Sequence, residues 1–470
     1  MSLEWNDINW KMVHYRISKL QKRIAYATQV NDWKNVRCLQ KMLINSYDGR
    51  LLAVLRVTSK KMKRTPGIDG KFWNTDEEKF EAVDKLRYKK YIPSPFKRIY
   101  VPKENDKTRV RPLSVPIIYD RAMQGLFLLA IDPVVETLAD THAYGFRKYR
   151  SSQDVIRDIV DTFRLNGGNQ WILKADIHEC FDHISHKWLL NHAPFNERIL
   201  ESILKCGYMY RGKWFPTVEG VPQGGVLSPV LTTHVLCGME KIINDNYPDN
   251  NIKMVRFVDD FLFSGETEDD LLLVYNDLID FLTERGLQLS PTKTKICHIS
   301  QGVDFIGWNI CRYNSGLKLN PTEKSINDVI KRIGDLIKQS TKWPVSILIE
   351  RINCIIIGWG YYHIYKCSPT IFLNLDLLIS KMLWKFVKDR HSLEDNLWIR
   401  KNYWKHTNSG YYFTSNGVDL MKLSDILVKV ADTVDLTKNP YIDIEYFRLR
   451  RKQVSYITSI SEYEYKQRIW

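Results

Sequence analysis

Two short stretches hold acids where apolar residues are expected. "RFVDDFLF" (256–263) sets Asp259 beside Asp260, and "WILKADIHECFDHI" (171–184) puts Asp176 near the end of an apolar run. Two like charges about 4 Å apart repel by roughly 4 kcal/mol at an effective dielectric of about 20. Residues 254–258 and 261–263 are β-formers with two residues between them, the spacing of a hairpin. Such turns favour Asn-Gly or Asp-Gly because positive φ is needed, so turn chemistry does not select Asp-Asp. The plain structural readings are a solvated acidic turn for the pair and a helix cap or turn former for Asp176. Taken together, the three acids are what a two-metal site needs. Carboxylate oxygens suit Mg²⁺, and two ions about 3.5–4 Å apart can activate an attacking 3′-oxygen and stabilise a leaving pyrophosphate.

The elements that must position these acids are mixed. Residues 1–64 read as helical, with Trp, Ile and Leu spaced by threes and fours among Lys and Arg. "TPGIDG" (65–70) is a turn-rich break. "FKRIYVP" (96–102) alternates like a strand, and 119–136 reads as a helix. "QWILKADI" (170–177) is a short strand, and "MVRFV" with "FLFS" a strand pair. The mixture points to an α+β core. From Asn320 the pattern becomes all-α: Asn320 is placed as an N-cap, Pro321 at the first helical position, and Ile326, Ile330, Ile333 and Ile337 on one face.

Composition narrows the class. With 470 residues, 44% hydrophobic and 26% charged, the chain can bury a large core and is not disordered. No run of 18 apolar residues predicts a membrane span, and no secretory leader is evident at the N-terminus. None of the eight cysteines is spaced C-x-x-C, which argues against a zinc site of the usual spacing and against a disulfide framework, and for reduced thiols. The net charge of +15 is uneven: +10 over 1–64, −2 over 65–319 and +7 over 320–470. A near-neutral centre with basic ends suits a polyanion gripped at two places.

Five blocks in order carry a resemblance to reverse transcriptases of the group II intron lineage. "FVDD" resembles their aromatic-x-Asp-Asp motif, and "DIHECF" the segment of the other catalytic Asp. "GVPQGGVLSPVL" (220–231), "HAYGFRKYRSS" (142–152) and "VPKENDKTRVRPLSVP" (101–116) match as well. The resemblance runs from about residue 51 to 441 and implies a right-hand polymerase: fingers and palm of antiparallel sheet plus helices, then an all-α thumb.

It assigns residues 1–64 to a basic helical extension, 65–318 to fingers and palm, 319–420 to the thumb or maturase domain, and 421–470 to a short DNA-binding-like tail without an endonuclease. Asp176, Asp259 and Asp260 would be catalytic and hold two Mg²⁺ ions, with Ile177 as a further metal ligand. Lys103, Arg109, Arg111, Phe181, Gln223, Gly224 and Lys293 would bind the nucleotide. Phe181 would act as the gate against a 2′-hydroxyl, and Arg109 competes with Arg111 for the triphosphate because the loop is about two residues longer than usual. Phe305, Ile306, Gly307 and Trp308 would form the primer grip. Lys60, Lys61, Arg64, Arg147, Trp398, Arg400 and Lys401 would contact RNA. Phe257-Val258 departs from the commoner Tyr-Ala beside the acids.

The implied partners are a group II intron RNA, a DNA target and primer, and dNTPs, with no membrane and an open oligomeric state. The implied setting is a bacterial cytoplasm, or an organelle if organelle-encoded. A domesticated relative in DNA repair or phage defence, and a maturase that only folds RNA, are the alternatives.

Overall fold

The computed structural model describes residues 4–59, 65–103, 106–164, 168–407, 410–426 and 433–458. Three helices open the chain, Trp10–Gln29, Trp33–Asn45 and Tyr47–Thr58, each started by a capping side chain (Asn9, Asp32 and Ser46) that accepts from a first-turn N–H. Their apolar faces pack on the helix Ile118–Leu138, which has Pro133 in its interior. Proline has no N–H, so the carbonyl four residues back, that of Leu129, loses its helical donor. The Gln21 side chain supplies one at 2.8 Å, and Gln40 donates to Ala130 O at 3.1 Å and to Pro194 O at 2.9 Å. The basic N-terminal segment is therefore part of the first core, with Lys19, Arg23, Lys34, Arg37 and Lys41 exposed on its outer face and Arg50 buried, donating to Val83 O.

The fingers sheet has the order β2-β1-β4-β5, from β1 (Phe96–Lys103), β2 (Asp106–Val115), β4 (Tyr208–Tyr210) and β5 (Lys213–Phe215). The palm sheet is antiparallel, in the order β6-β7-β3-β8: β3 (Trp171–Asp176), β6 (Lys253–Phe257), β7 (Asp260–Gly265) and β8 (Lys295–His298). Successive residues of a strand face opposite ways. Leu173, Ala175, Phe261 and Phe263 enter the first core, whereas Ile172, Val255, Leu262 and Cys297 enter a second. Both faces of the palm sheet are thus covered, which is why its strands read as near-continuous apolar runs. β9 (Val303–Phe305), β10 (Trp308–Tyr313) and β11 (Gly316–Pro321) form a smaller sheet on the second core.

The thumb has its own core, built from the helices Glu323–Gln339, Val345–His363 and Pro369–Arg390. Two expectations change here. The N-cap is Thr322, whose side chain accepts from Ser325 N–H, while Asn320 and Pro321 end β11. The region is also not all-α. After the helix Asn396–Tyr403 comes a meander of β12 (Trp404–Thr407), β13 (Gly410–Ser415) and β14 (Val418–Asp419) that packs Phe413 into the helical core.

The C-terminal segment does not stand apart. Phe447 of the helix Ile444–Thr458 joins the second core and stacks on Tyr149, and Arg450 pairs with buried Asp154 at 2.5 Å. Among the described residues no helix is long and apolar enough to cross a membrane, and all eight cysteines are free.

Replacing Gln21 by Leu leaves the Leu129 carbonyl buried without a donor. An unpaired buried acceptor costs about 1–3 kcal/mol, so Gln21→Leu should lower the stability of the chain by that amount in chemical denaturation. An unchanged midpoint would show that Gln21 does not satisfy the proline gap.

Candidate active site

Asp176 ends β3 and lies directly across the ladder from Asp260, the first residue of β7. Asp259 is in the turn that joins β6 to β7. Like charges opposite one another destabilise an antiparallel pair, and the proton equilibria carry the strain. Burial first, then the hydrogen bond to Asp176 and the charges of Asp176 and Asp259, push the Asp260 carboxyl up to about 7. Asp259 is also raised, chiefly by burial and then by Asp176, against its own backbone N–H, Lys293 and Arg111. Lys293 Nζ donates to Asp176 Oδ2 at 2.7 Å, a placement beside the acids and not on a distant loop. Three hard oxygen donors, two of them held above the usual carboxylate range by burial and mutual repulsion, fit a divalent cation. Ile177 is buried, and the bonds that close its bridge to Leu289 are made by Asp176 and His178, not by its own carbonyl.

The turn differs from its expected register. Phe257 pairs with Asp260, so the two turn residues are Val258 and Asp259, and Asp260 belongs to the strand. Val258 has φ 60°. A β-branched residue there is a genuine outlier, at a cost of about 1–3 kcal/mol that the surroundings must offset. Beneath the turn, buried Arg256 donates from Nη1 to Val258 O at 3.2 Å and lies 3.7 Å from Asp140 Oδ2. Alongside it, the segment 142–144 runs parallel to β6: Arg256 N–H bonds to His142 O and Tyr144 N–H to Arg256 O, each at 2.9 Å. Gly145 then meets the turn so closely that an added Cβ would lie 2.5 Å from the Val258 nitrogen. The "HAYGFR" block therefore braces the hairpin that carries the acids.

Arg147 serves the same brace. It was expected on RNA, but its buried guanidinium donates to the Glu136 carboxylate and to the carbonyls of Asp140 and Ala143. All of its nitrogens bond within the chain, so its role is structural. Arg256, Asp140 and Gly145 were not singled out from the sequence. The available signal was the arginine inside the apolar strand "MVRFV", since a buried guanidinium demands partners.

Between the fingers sheet and the segment that follows Asp176 lies a cleft of about 180 Å³, lined in part by Arg98, Ser114, Phe181, Asp182, Tyr208 and Gln223; the three acids themselves do not line it. Phe181 stands on the short helix Cys180–His183 with its ring edge-on to Phe146. Gln223 Nε2 donates to Asp182 Oδ2 at 3.0 Å, and the Gln223 backbone carbonyl accepts from Ser114 N–H at 2.6 Å, which joins the Pro-Gln-Gly segment to the fingers. Gly224 is at φ 101°, and a Cβ there would lie 2.8 Å from Ser114 O. Arg111 is exposed on β2, and its charge acts on Asp259. Arg109 lies two residues along the same strand and Lys103 ends β1; their side chains lie outside the described residues.

The expected primer grip is a hairpin with a two-residue turn, Ile306-Gly307, both at positive φ as a type I′ turn needs. Its flanks are not surface contacts: Phe305 and Trp308 are buried in the second core. The tip is tied to the thumb, because Ile306 O accepts from Tyr362 Oη at 2.5 Å and Gly307 O from Thr322 N–H at 3.0 Å. Trp398 packs against His391 and Tyr403 in the thumb core, whereas Arg400 and Lys401 are exposed beside it. Lys60, Lys61 and Arg64 lie outside the described residues.

An antiparallel palm sheet that gathers three acids at the end of β3 and the β6–β7 turn, beside a fingers sheet, is the arrangement of a nucleic-acid polymerase, and the comparisons make the class specific. Residues 5–86 match the N-terminal domain of reverse transcriptase, 101–310 the reverse transcriptase (RNA-dependent DNA polymerase) family, and 326–404 the group II intron maturase-specific domain. Over most of its length the chain is thus similar to reverse transcriptases of the group II intron type. It is 27% identical over 347 residues to Protein YkfC of Escherichia coli, 64% of this chain and 89% of that protein. With the group II intron-encoded protein LtrA of Lactococcus lactis it shares 25% over 367 residues, 63% of this chain but 59% of that protein. With Maturase-like protein 1 of Euglena longa it shares 28% over 400 residues, 82% and 83% of the two chains.

Gly145→Ala tests the brace. A displacement of about 1 Å at a reacting centre can cost on the order of 100-fold in rate, so primer extension by this variant should fall at least about tenfold while RNA affinity stays unchanged. Full activity would show that the close approach to Val258 does not position the acids.

Proposed function

We propose that this chain copies RNA into DNA, joining a primer 3′-hydroxyl to the α-phosphate of a dNTP, and that it binds a group II intron RNA to assist its splicing and mobility. The observation that carries the reading is the pairing of Asp176 with Asp260 beside Asp259, within the segment that matches reverse transcriptases. The family uses divalent metal ions. Here Asp176, Asp259 and Asp260, with the Ile177 carbonyl, would hold two Mg²⁺ ions. Bound there, the ions would activate the 3′-oxygen and stabilise the leaving pyrophosphate.

The remaining roles fall to the chain's own residues. Phe181, at the wall of the cleft, would lie under the sugar and exclude a 2′-hydroxyl. Gln223, held by Asp182 and by the fingers, would fix the depth of the nucleotide. Arg111, with Arg109 and Lys103 toward the hairpin tip, would meet the triphosphate, since guanidinium forks and lysine charges both suit phosphate oxygens. Lys293 would neutralise the acids on the opposite side. The β9–β10 tip, held by Tyr362, would set primer height through its backbone, with Phe305 and Trp308 as its buried anchors.

RNA would run along the exposed cations of the N-terminal helices, Lys19, Arg23, Lys34, Arg37 and Lys41, and along Arg400 and Lys401 of the thumb. The maturase domain supports the splicing role. YkfC, LtrA and Maturase-like protein 1 come from bacteria and a euglenoid, which supports a bacterial or organellar setting.

Asp259→Ala should reduce dNTP incorporation on an RNA template by on the order of 10³-fold, the scale of losing a group that stabilises transition-state charge. Affinity for the intron RNA, read by filter binding, should stay within about twofold. Undiminished primer extension would remove Asp259 from the metal site.

A further inference from the structure

Immediately beyond Asp176 the chain brings together a second set of donor side chains that polymerisation does not use. His178, Glu179 and His183 each offer one ligand atom, and these atoms lie within 4.8 Å of one another. The backbone makes the convergence. His178 N–H is fixed to Gln288 O at 2.9 Å, Glu179 turns the chain at φ 44°, and Asp182 N–H bonds to Glu179 O at 2.8 Å to start the short helix Cys180–His183. Glu179 and His183 then meet across one helical turn, with His183 Nε2 3.8 Å from Glu179 Oε2, and the two imidazoles stack with centroids 6.0 Å apart.

From a different segment, Glu219 Oε1 lies 3.2 Å from His183 Nδ1. A carboxylate on one ring nitrogen fixes the tautomer and turns the other nitrogen outward as a ligand, the arrangement that supports metal-binding histidines.

We infer that His178, Glu179 and His183 form a binding site for a zinc-like divalent cation, oriented by Glu219 and separate from the aspartate triad. Two imidazoles and a carboxylate are a zinc donor set with a fourth position open. Imidazole also separates this site from the all-oxygen triad, which suits Mg²⁺. A tetrahedral ion with bonds of about 2.0–2.1 Å sets its ligand atoms about 3.4 Å apart. Closing from 4.8 Å takes only side-chain rotation, for which exposed His178 and Glu179 are free. The ion would clamp the segment between Asp176 and Phe181, and so stiffen the wall of the nucleotide cleft without touching the reacting atoms.

The test is Zn²⁺ binding to the full chain in excess Mg²⁺, in competition with a chromophoric chelator, followed by the visible spectrum of the Co²⁺-substituted protein. The expected result is one Zn²⁺ per chain, a Co²⁺ spectrum of tetrahedral nitrogen and oxygen coordination, and loss of both in His178→Ala/His183→Ala. Glu219→Gln should keep the stoichiometry and weaken binding about 10–100-fold, the usual cost of removing such a support. Asp260→Asn, which disables the polymerase site, should bind Zn²⁺ as the wild type does. No Zn²⁺ uptake by the wild type, or uptake that survives the double-histidine variant and falls in Asp260→Asn, would overturn the site while leaving the polymerase reading intact. Circular dichroism shows whether each variant is folded, and Glu219→Gln, which removes no ligand, serves as the second arm.

Discussion

The palm is organised around one unfavourable contact, the carboxylate of Asp176 facing that of Asp260 across adjacent strands, with Asp259 one residue away. A sheet selected for stability alone would not place these charges there, since opposed like charges weaken the ladder and burial raises their cost. The partial remedies are visible. Lys293 reaches Asp176 at 2.7 Å, Arg111 and Lys174 contribute positive potential at the other two acids, and Asp260 leans toward its protonated form. A divalent cation would relieve what these leave.

Much of the surrounding structure holds that contact in place. Both faces of the palm sheet are packed, so the strands cannot slip and carry the acids to the wrong face. The turn between the acid-bearing strands is strained at Val258 and is gripped from below by Arg256 and from the side by Gly145. Arg256 is itself buried against Asp140, and Arg147 ties the same loop to Glu136. Removing one partner of a buried ion pair leaves an uncompensated charge, so these residues form a rigid frame although none of them touches substrate. The departure at Phe257-Val258 now has a setting. The bulkier Val258 occupies a positive-φ position and is accommodated because residue 145 is a glycine.

The parts legible in the sequence were those with local signatures. Strands β1, β3, β6 and β7, the N-terminal helices and the thumb helices follow from periodicity, and the acid triad from residue type combined with ordered motifs. What was not legible depends on distant partners. The hairpin turn falls one residue earlier than β-propensity places it, because pairing of Phe257 with Asp260 overrides the local preference of valine. The thumb cap moves from Asn320 to Thr322 because β11 takes Asn320 and Pro321 into its ladder with β10. Arg147, Phe305 and Trp308 look like binding residues by type, and burial gives them structural work. Gln21 would pass for an ordinary helix-surface residue until Pro133, about a hundred residues away, leaves the Leu129 carbonyl in need of a donor.

The most direct test of the central claim compares the wild type with Asp260→Asn in unfolding experiments across pH, with chelator and with saturating Mg²⁺. An acid whose folded pKa is raised contributes stability that is full below its unfolded value and is lost as pH rises through the folded value. With chelator, the wild type should therefore lose stability relative to Asp260→Asn as pH rises from the ordinary carboxylate value of 3.8 to about 7. A tenfold proton equilibrium is worth about 1.4 kcal/mol, which caps the difference at about 4 kcal/mol. Above pH 7, Mg²⁺ should restore the wild type and have little effect on Asp260→Asn. Parallel pH profiles for the two proteins, or equal stabilisation of both by Mg²⁺, would contradict the account.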